Sequence, residues 1–259
     1  MLLAIISDIH GNIDALNVVL DAIEKRGVDR IINLGDHFSG PLCADKTARR
    51  LWELKKSGTP TTTLRGNHDR WLVERSINAM GASDVHAKGQ LSDATIDWLK
   101  ELPATVELSV PDKYATVFAC HAVPDSDTIY WMEDVYPDGS VGKRDDKEIE
   151  AFAKNLKSGL ILCGHTHVPR IHKLSDRRIL LNPGSVGCPG FNDTHPLPHA
   201  IETGSPDASW ALAQFDQGTW SVEHRFEGYD QSRMVRLAAE NGRPDWANAL
   251  ATGNIKSVV

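Results

Sequence analysis

The fold is decided near the start of the chain, where residues 2–12 read LLAIISDIHGN. Residues 2–7 are almost entirely apolar, as expected of a strand that is covered on both faces. Asn12 can cap a following helix, whose apolar residues recur at helical spacing up to Ile23 before Gly27 ends it. This stretch therefore predicts a strand, a short polar turn and a helix.

Two more strand–helix steps follow along the first third of the chain. A short apolar run at residues 30–34 and the stretch Thr61–Leu64, which is entered from Pro60, predict strands, and Pro41 is placed to open a helix between them. Strands that alternate with helices favour parallel pairing with right-handed crossovers. The first third therefore predicts the α/β class, with parallel strands that end at one edge of a sheet.

The second half of the chain is richer in strand signals. The predicted elements are strands at residues 105–110, 114–119, 160–163, 171–174, 178–181, 208–215 and 219–226, with helices around 146–156 and over 229–250. Pro111-Asp112-Lys113 predicts a turn between the first two of these strands. We expect a single domain over 1–259, with an irregular, lid-like segment at 122–146 and a long loop at 190–207. Long loops inside compact domains are often functional.

Composition excludes several classes of protein. The 259 residues are 41% hydrophobic and 24% charged, which is typical of globular domains and not of disordered, collagen-like or coiled-coil chains. The net charge of −7 disfavours non-specific binding to nucleic acid or to an anionic membrane. No apolar run approaches the about 20 residues that a membrane-spanning helix needs, and the apolar start is too short for a signal peptide. Because the four cysteines are widely spread, without a Cys-x-x-Cys pair, we expect a reducing, cytoplasmic location.

Polar residues that can bind metal ions recur where the predicted strands end. They form five groups along the chain: Asp8-Ile9-His10, Gly35-Asp36, Gly66-Asn67-His68-Asp69, Cys120-His121 and Gly164-His165-Thr166-His167. In an open α/β sheet, ligands bind beyond the carboxyl ends of the strands. We therefore expect these five groups, which are distant in the sequence, to meet in one place.

The chemistry of these side chains predicts the kind of metal. Carboxylate oxygens, imidazole nitrogens and one amide oxygen form a mixed set, which suits Mn, Fe, Zn, Co or Ni better than Mg or Ca. The donors are too numerous for one ion. Two divalent ions about 3.5–4 Å apart, on either side of a shared hydroxide, would use them all. The sequence thus predicts a dinuclear metal site at the carboxyl ends of the strands.

These groups, in this order, resemble the pattern of the calcineurin-like metallophosphoesterases over nearly the whole chain. Three stretches are similar to the compact bacterial and archaeal phosphodiesterase branch of that family: Ser7–Asn12, Gly164–Pro169 and Asn182–Gly187. The resemblance implies a four-layer α/β/β/α sandwich with two mixed β-sheets. It also implies hydrolysis of phosphodiesters or phosphomonoesters.

The same resemblance implies a role for each residue of the site. The first ion would be held by Asp8, His10, Asp36 and His167, and the second by Asp36, Asn67, His121 and His165. The hydroxide between the ions would attack phosphorus, and His68 would protonate the leaving oxygen. Asp69 would orient the His68 imidazole. Arg65 would contact the phosphate, because guanidinium groups fit phosphate oxygens in pairs.

Three further residues are candidates for substrate contacts. His37 stands where the family pattern suggests a small or aliphatic residue, and it is either a substrate contact or a structural histidine. Tyr130 and Trp131 either stack on a ring of the substrate or belong to a local hydrophobic cluster. The acidic residues around them disfavour DNA or RNA, so we expect a small phosphoester as substrate.

Alternative functions share much of this pattern. A diadenosine-polyphosphate hydrolase or a serine/threonine protein phosphatase would use the same chemistry on another leaving group. A non-catalytic metal-binding scaffold is a third hypothesis, because a retromer coat subunit resembles the same branch. The motifs leave open the physiological substrate, the preference for mono- or diesters, the native metals and the oligomeric state.

Overall fold

Two mixed five-stranded β-sheets form the centre of the computed structural model, which describes residues 1–108 and 115–255. The first sheet has the spatial order β14 (Thr219–Glu227), β13 (Ala208–Asp216), β1 (Leu2–Ile6), β2 (Arg30–Asn33) and β3 (Thr61–Thr63). The second sheet has the order β4 (Thr105–Leu108), β5 (Val117–Cys120), β8 (Leu160–Leu162), β10 (Ile179–Asn182) and β9 (Arg170–Lys173). Strands β1, β2 and β3 run parallel, as do β5, β8 and β10, and the other pairs in these sheets are antiparallel.

The helices pack on the outer faces of these sheets. Their bounds are α1 (Ile13–Arg26), α2 (Ala44–Lys56), α3 (Asn67–Glu74), α4 (Ala82–Lys88), α5 (Asp93–Glu101), α6 (Asp146–Ala153), α7 (Ser232–Glu240) and α8 (Pro244–Thr252). Asn12 caps α1 as predicted, since its Oδ1 accepts the backbone N–H of Ala15 at 3.1 Å, and Gly27 ends the helix with a φ of 59°. The prediction that Pro41 opens α2 was wrong, because that helix begins at Ala44. Among the residues that the structure describes, no helix is both long and apolar enough to cross a membrane.

Alternating side chains of the strands divide the core into layers. In β1, Leu3 and Ile5 belong to the core between the two sheets, whereas Ala4 and Ile6 belong to the core under the helices α1, α2, α7 and α8. On the far side of the second sheet, Ile161 packs against α6 in a third core. Burying each such aliphatic side chain contributes about 1.5–3 kcal/mol. The order helix, sheet, sheet, helix confirms the four-layer sandwich.

The two segments that were predicted to be irregular each contain a short hairpin. Residues 122–146 include β6 (Glu133–Val135) and β7 (Val141–Lys143), and residues 190–207 include β11 (Gly190–Asp193) and β12 (His199–Glu202). These strands have three or four residues and show no alternation of apolar and polar side chains, so the sequence pattern could not indicate them. The predicted turn at 111–113, and the adjoining ends of its two strands, lie outside the described residues.

Candidate metal centre

The turns that follow the strands bring the predicted ligands to one edge of the sandwich. Five of these residues have a left-handed backbone: Asp8 (φ 56°), His10 (φ 50°), Asp36 (φ 54°), His165 (φ 69°) and His167 (φ 60°). This conformation is uncommon for residues other than glycine, and it persists where surrounding contacts enforce it. Here the backbone N–H of Asp8 donates to the carbonyl of Gly35, and that of His10 donates to the carbonyl of Asp36, each at 3.0 Å. The turns after β1 and β2 therefore hold each other in place.

Two glycines allow the backbone to approach the carboxylates. A Cβ atom on Gly66 would overlap the carboxylate of Asp36, and a Cβ atom on Gly164 would overlap the Ser7 hydroxyl. Larger residues at either position would push apart the turns that carry the ligands. The glycines of the sequence pattern are thus explained by close approach at these two positions.

The first group of ligands consists of Asp8, His10 and His167. Nε2 of His167 lies 3.3 Å from Oδ1 of Asp8 and 3.2 Å from Nε2 of His10. Nε2 of His10 lies 3.7 Å from the same Asp8 oxygen. All three side chains are almost completely buried, so their polar atoms face one another rather than water. One metal ion could contact all three, because their donor atoms lie within 4.8 Å of one another.

The second group consists of Asp36, His121 and His165, whose donor atoms also lie within 4.8 Å of one another. One terminal atom of the Asn67 amide lies 3.0 Å from Nε2 of His121 and 3.1 Å from Nδ1 of His165, so this amide joins the group. Oδ2 of Asp36 lies 3.3 Å from Nε2 of His121 and 3.9 Å from Nε2 of His10. Asp36 therefore stands between the two groups.

Backbone carbonyls orient three of the imidazoles. Nδ1 of His10 bonds the carbonyl of Ser39 at 2.6 Å, and Nδ1 of His167 bonds the carbonyl of Cys188 at 2.6 Å. Nδ1 of His121 bonds the Leu34 carbonyl at 2.9 Å. Each bond leaves Nε2 directed at the carboxylates, and such support is typical of histidines that bind metal.

The stretch from Asn182 to Gly187 supports the same turns. The Asn182 amide donates to the carbonyl of Gly164 at 2.8 Å and to the hydroxyl of Thr166 at 3.0 Å. The hydroxyl of Ser185 donates to the carbonyl of Asp8 at 2.7 Å. This stretch holds both the first and the last ligand turns, which sequence reasoning did not predict.

Charges within the centre shift the pKa of its groups. Although burial opposes ionisation, His167 and His121 hold the pKa values of Asp8 and Asp36, respectively, well below the usual range. Burial also opposes charge on His121, but Asp36 and Asp8 raise its pKa to about 10. Burial and the charge of His121 lower the pKa of His165 to about 4, and burial lowers the pKa of His167. The centre therefore offers ionised carboxylates and neutral imidazoles at His165 and His167, with the proton of His121 to be displaced by a cation.

These residues fit divalent transition-metal ions. The carboxylate, imidazole and amide donors are the mixed set that such ions prefer. Oδ1 of Asp8 is fully buried and makes no hydrogen bond to the residues that the structure describes. A buried carboxylate oxygen that approaches imidazole nitrogens only at 3.3–4.0 Å is poorly compensated, and a bound cation would satisfy it.

A family model for the calcineurin-like phosphoesterase superfamily domain matches residues 1–202. The chain belongs to this superfamily. It is 26% identical over 270 residues to an uncharacterized protein of Methanocaldococcus jannaschii, a match that covers 95% of each chain. A metallophosphoesterase from Sphaerobacter thermophilus has the same fold, with a TM-score of 0.68, 23% identity and coverage of 98% of this chain and 99% of that one. A hypothetical protein from Pyrococcus horikoshii has a TM-score of 0.75 at 17% identity, again with 98% and 99% coverage.

In this calcineurin-like phosphoesterase, His68 stands beside the ligands and is oriented by Asp84. Nδ1 of His68 lies 2.7 Å from Oδ1 of Asp84, a residue of α4 that the sequence analysis missed. Although burial opposes the charged form, Asp36 and then Asp84 raise the pKa of His68. The acidic partner predicted for His68 was Asp69, and that prediction was wrong.

Asp69 and His37 instead build the turn that carries Asp36. Oδ2 of Asp69 accepts the backbone N–H groups of Asp36 at 2.8 Å and of Gly66 at 3.0 Å, while Oδ1 accepts that of His37 at 3.1 Å. Nδ1 of His37 also lies 2.8 Å from Asp69, and both side chains are fully buried. Of the two interpretations of His37, the structural one fits this burial, because the ring packs against Phe38 and Trp98 and does not line the cleft.

A cleft of about 810 Å³ opens above the ligands, and it contains one of the remaining predicted residues. Tyr130 lines the cleft, with its ring centre 5.2 Å from that of His165. Trp131 is 1% exposed and donates its indole N–H to the Ile149 carbonyl at 3.1 Å, so it is a core residue. Arg65 is not among the residues that line the cleft and lies 3.8 Å from Glu74, so the structure gives the predicted phosphate contact no support.

Aromatic and basic residues that the sequence analysis did not select also line the cleft. They are Trp71, Arg75, Arg144, Phe191, Arg243 and Trp246. The ring of Trp71 stands edge-on to His68, with centres 4.7 Å apart, and Phe191 meets His167 at 4.6 Å. These residues come from four distant parts of the chain, and none belongs to a recognisable motif.

Proposed function

We propose that this protein hydrolyses small phosphoesters at a dinuclear centre of divalent transition-metal ions such as Mn, Fe, Zn, Ni or Co. The observation that carries the proposal is the position of Asp36, whose Oδ2 lies 3.9 Å from His10 in the first group and 3.3 Å from His121 in the second. A carboxylate in that position suits two ions better than one. Asp8, His10 and His167 would hold the first ion, and Asn67, His121 and His165 the second.

The side chains around that centre would bind the metal ions and supply a proton. Two divalent ions bound there would lower the pKa of a water molecule and draw charge from the phosphoester. His68 would hold a proton on Nε2, because Asp84 occupies Nδ1, and would donate it to the leaving oxygen. The pKa of His68, which is raised by Asp36 and Asp84 against the effect of burial, favours that protonated form.

A covalent intermediate on cysteine is disfavoured at this site. Cys188 is the cysteine that lines the cleft, and burial raises the pKa of its thiol far above the usual range. Its Sγ donates to the Gly190 carbonyl at 3.4 Å. A thiol in that state is a poor nucleophile, so direct attack by water agrees better with the residues present.

Metal removal and reloading test the proposal. The protein stripped of metal is reloaded with Mn, Ni, Fe or Zn, and bound metal and turnover are measured on aryl phosphomonoesters and phosphodiesters. We expect turnover to return with metal, and we expect Asn67→Ala to bind less metal and lose most of its activity. Asn78→Ala, a change at an exposed asparagine, is the matched control and should resemble the wild type.

Two results would contradict the proposal. One is turnover that is undiminished after the metal has been removed, and the other is wild-type activity in the Asn67→Ala variant. Full metal binding without turnover on any phosphoester would favour the scaffold hypothesis instead.

A further inference from the structure

Three arginines line the cleft, and they differ in whether a carboxylate lies close to the guanidinium group. Arg243 forms two hydrogen bonds to the Asp245 carboxylate, at 3.0 and 2.7 Å. Arg144 lies 2.7 Å from Asp134 and 3.2 Å from Glu148. These two guanidinium groups are already neutralised by neighbouring carboxylates.

Arg75 differs from the other two arginines. Within the part of the chain that the structure describes, no carboxylate lies within 4.0 Å of its guanidinium group. Its Cζ lies 3.8 Å from the centre of the Trp71 ring, so one face of the guanidinium is covered by indole. Stacking of this kind fixes the plane of the group and leaves its N–H donors free at the edge. A planar guanidinium with free donors fits the two oxygens of an acidic group.

Arg75 also lies close to the proposed acid. The ring centres of His68 and Trp71 are 4.7 Å apart, and Trp71 is 3.8 Å from Cζ of Arg75, which places the guanidinium within about 8.5 Å of the His68 ring. Because His68 would face the leaving oxygen, Arg75 lies on the side of the cleft that the leaving group would occupy. The neighbouring Glu74 does not compete for this arginine, since it lies within ion-pair distance of Arg65 and Arg70.

We propose that Arg75 determines specificity by binding a second acidic group, carried by the leaving group of the substrate. The inference rests on the proposed function, because it presupposes that His68 faces a leaving group. A carboxylate and a phosphate offer the same pair of oxygens, so the shared chemistry is an oxyanion a few bonds from the ester. The substrate class is thus a phosphoester whose alcohol portion is itself an acid.

A set of matched esters tests this inference on the metal-loaded protein. The esters are 4-nitrophenyl phosphates that carry a carboxylate, a phosphonate or a neutral carboxamide at ring position 3. The quantity compared is kcat/KM for each acidic ester relative to the carboxamide, in the wild type and in Arg75→Gln. Intrinsic differences between the leaving groups cancel when these ratios are compared between the two proteins.

We expect the wild type to prefer at least one acidic ester about tenfold, the size typical of a hydrogen-bonded charge pair. Arg75→Gln should abolish the preference and leave kcat/KM for the carboxamide within about threefold. The carboxylate and phosphonate arms show which oxyanion is preferred. Arg49→Gln removes a charge from an exposed arginine of α2, with a side chain 74% exposed, and should keep the full preference.

The possible failures separate the two proposals. Turnover with no preference in the wild type, or with the same preference in Arg75→Gln, overturns the role of Arg75 and leaves the proposed function standing. If the metal-loaded wild type hydrolyses none of the esters, the proposed function is overturned, and this inference with it. Should the glutamine variant unfold the end of α3, Arg75→Met keeps a long side chain over Trp71 and is read in the same way.

Discussion

The floor and the rim of the cleft are held by different kinds of contact. The floor consists of the seven proposed ligands: Asp8, His10, Asp36, Asn67, His121, His165 and His167. Six of these residues are at most 4% exposed, and backbone carbonyls fix three of the imidazoles. The rim consists of residues 122–146 and 190–202, and it exposes Ile129, Tyr136 and Leu197 by 41–44%. Backbone geometry therefore positions the floor, while side chains on short hairpins make up the rim.

Residues other than glycine that have a left-handed backbone are concentrated in the floor. Seven residues other than glycine have positive φ in the described part of the chain, and five of them belong to the floor. The other two, Arg177 and Gln217, are in hairpin turns away from the cleft, and the rim has none. Each such residue costs about 1–3 kcal/mol unless its surroundings favour it. The floor thus concentrates conformations that only a fixed scaffold maintains, whereas no such residue lies in the rim.

Among the variants that test this difference between floor and rim, His68→Asn is expected to have the largest effect on activity. The ring of His68 lies beside the floor, with its centre 5.7 Å from that of His10, and His68 is not among the proposed ligands, so the variant should keep its metal. Its kcat should fall by about 10²–10⁴-fold, the usual contribution of a general acid. The loss should be smallest for 4-nitrophenol, a leaving group that hardly needs a proton. Equal losses for good and poor leaving groups would contradict the role of acid.

Asp84→Asn is expected to have the next largest effect, through the pKa of His68. Burial opposes the charged imidazole, whereas Asp36 and Asp84 raise its pKa. Loss of the Asp84 charge therefore lowers that pKa, and the protonated acid disappears at a lower pH. The alkaline limb of the kcat profile should move to lower pH, with a loss of about 10–100-fold, as is typical of residues that orient a catalytic group.

Two controls separate positioning from a structural role for Asp84. Asp21→Asn removes an exposed carboxylate from α1 and should leave the pH profile unchanged. The double variant His68→Asn, Asp84→Asn should be no slower than His68→Asn alone, because residues that act as a unit are not additive. A further loss in the double variant would show that Asp84 acts independently of His68.

The ligands of the floor could be predicted from the sequence, because each is indicated by residues close to it in the chain. Most of the ligands follow a strand whose apolar run is recognisable, Asn67 follows a strand marked by three threonines, and parallel strands end at a common edge. The left-handed turns at Asp8 and Asp36 could not be predicted, since they depend on hydrogen bonds between the turns after β1 and β2. Those bonds form only when the two strands are already paired.

The partners of the floor and the rim residues could not be predicted, because they depend on packing between distant elements. Asp69 is next to His68 in the chain, but at the start of α3 its carboxylate faces the backbone of the neighbouring turn. Asp84 reaches His68 from another helix, whose seven residues give little periodic signal. In the same way Trp131 turns into the core against α6, while Trp71, from α3, is one of the aromatic residues that line the cleft.

The smallest effect is expected on the rim, from Tyr130→Phe. The Tyr130 hydroxyl forms a 2.9 Å hydrogen bond to Nε2 of His199 and so joins the two segments of the rim. Its loss leaves a nearly buried nitrogen without a partner, so the free energy of unfolding should fall by about 1 kcal/mol. The phenyl ring keeps its contact with His165, so kcat/KM should stay within about threefold. Thermal unfolding measures the change in stability, and steady-state kinetics measure kcat/KM. The control is Tyr136→Phe, because the exposed Tyr136 hydroxyl forms only a 3.4 Å bond to the Lys143 carbonyl. If Tyr130→Phe instead lost kcat as His68→Asn does, the rim would help to position the floor, and the two regions would not be independent.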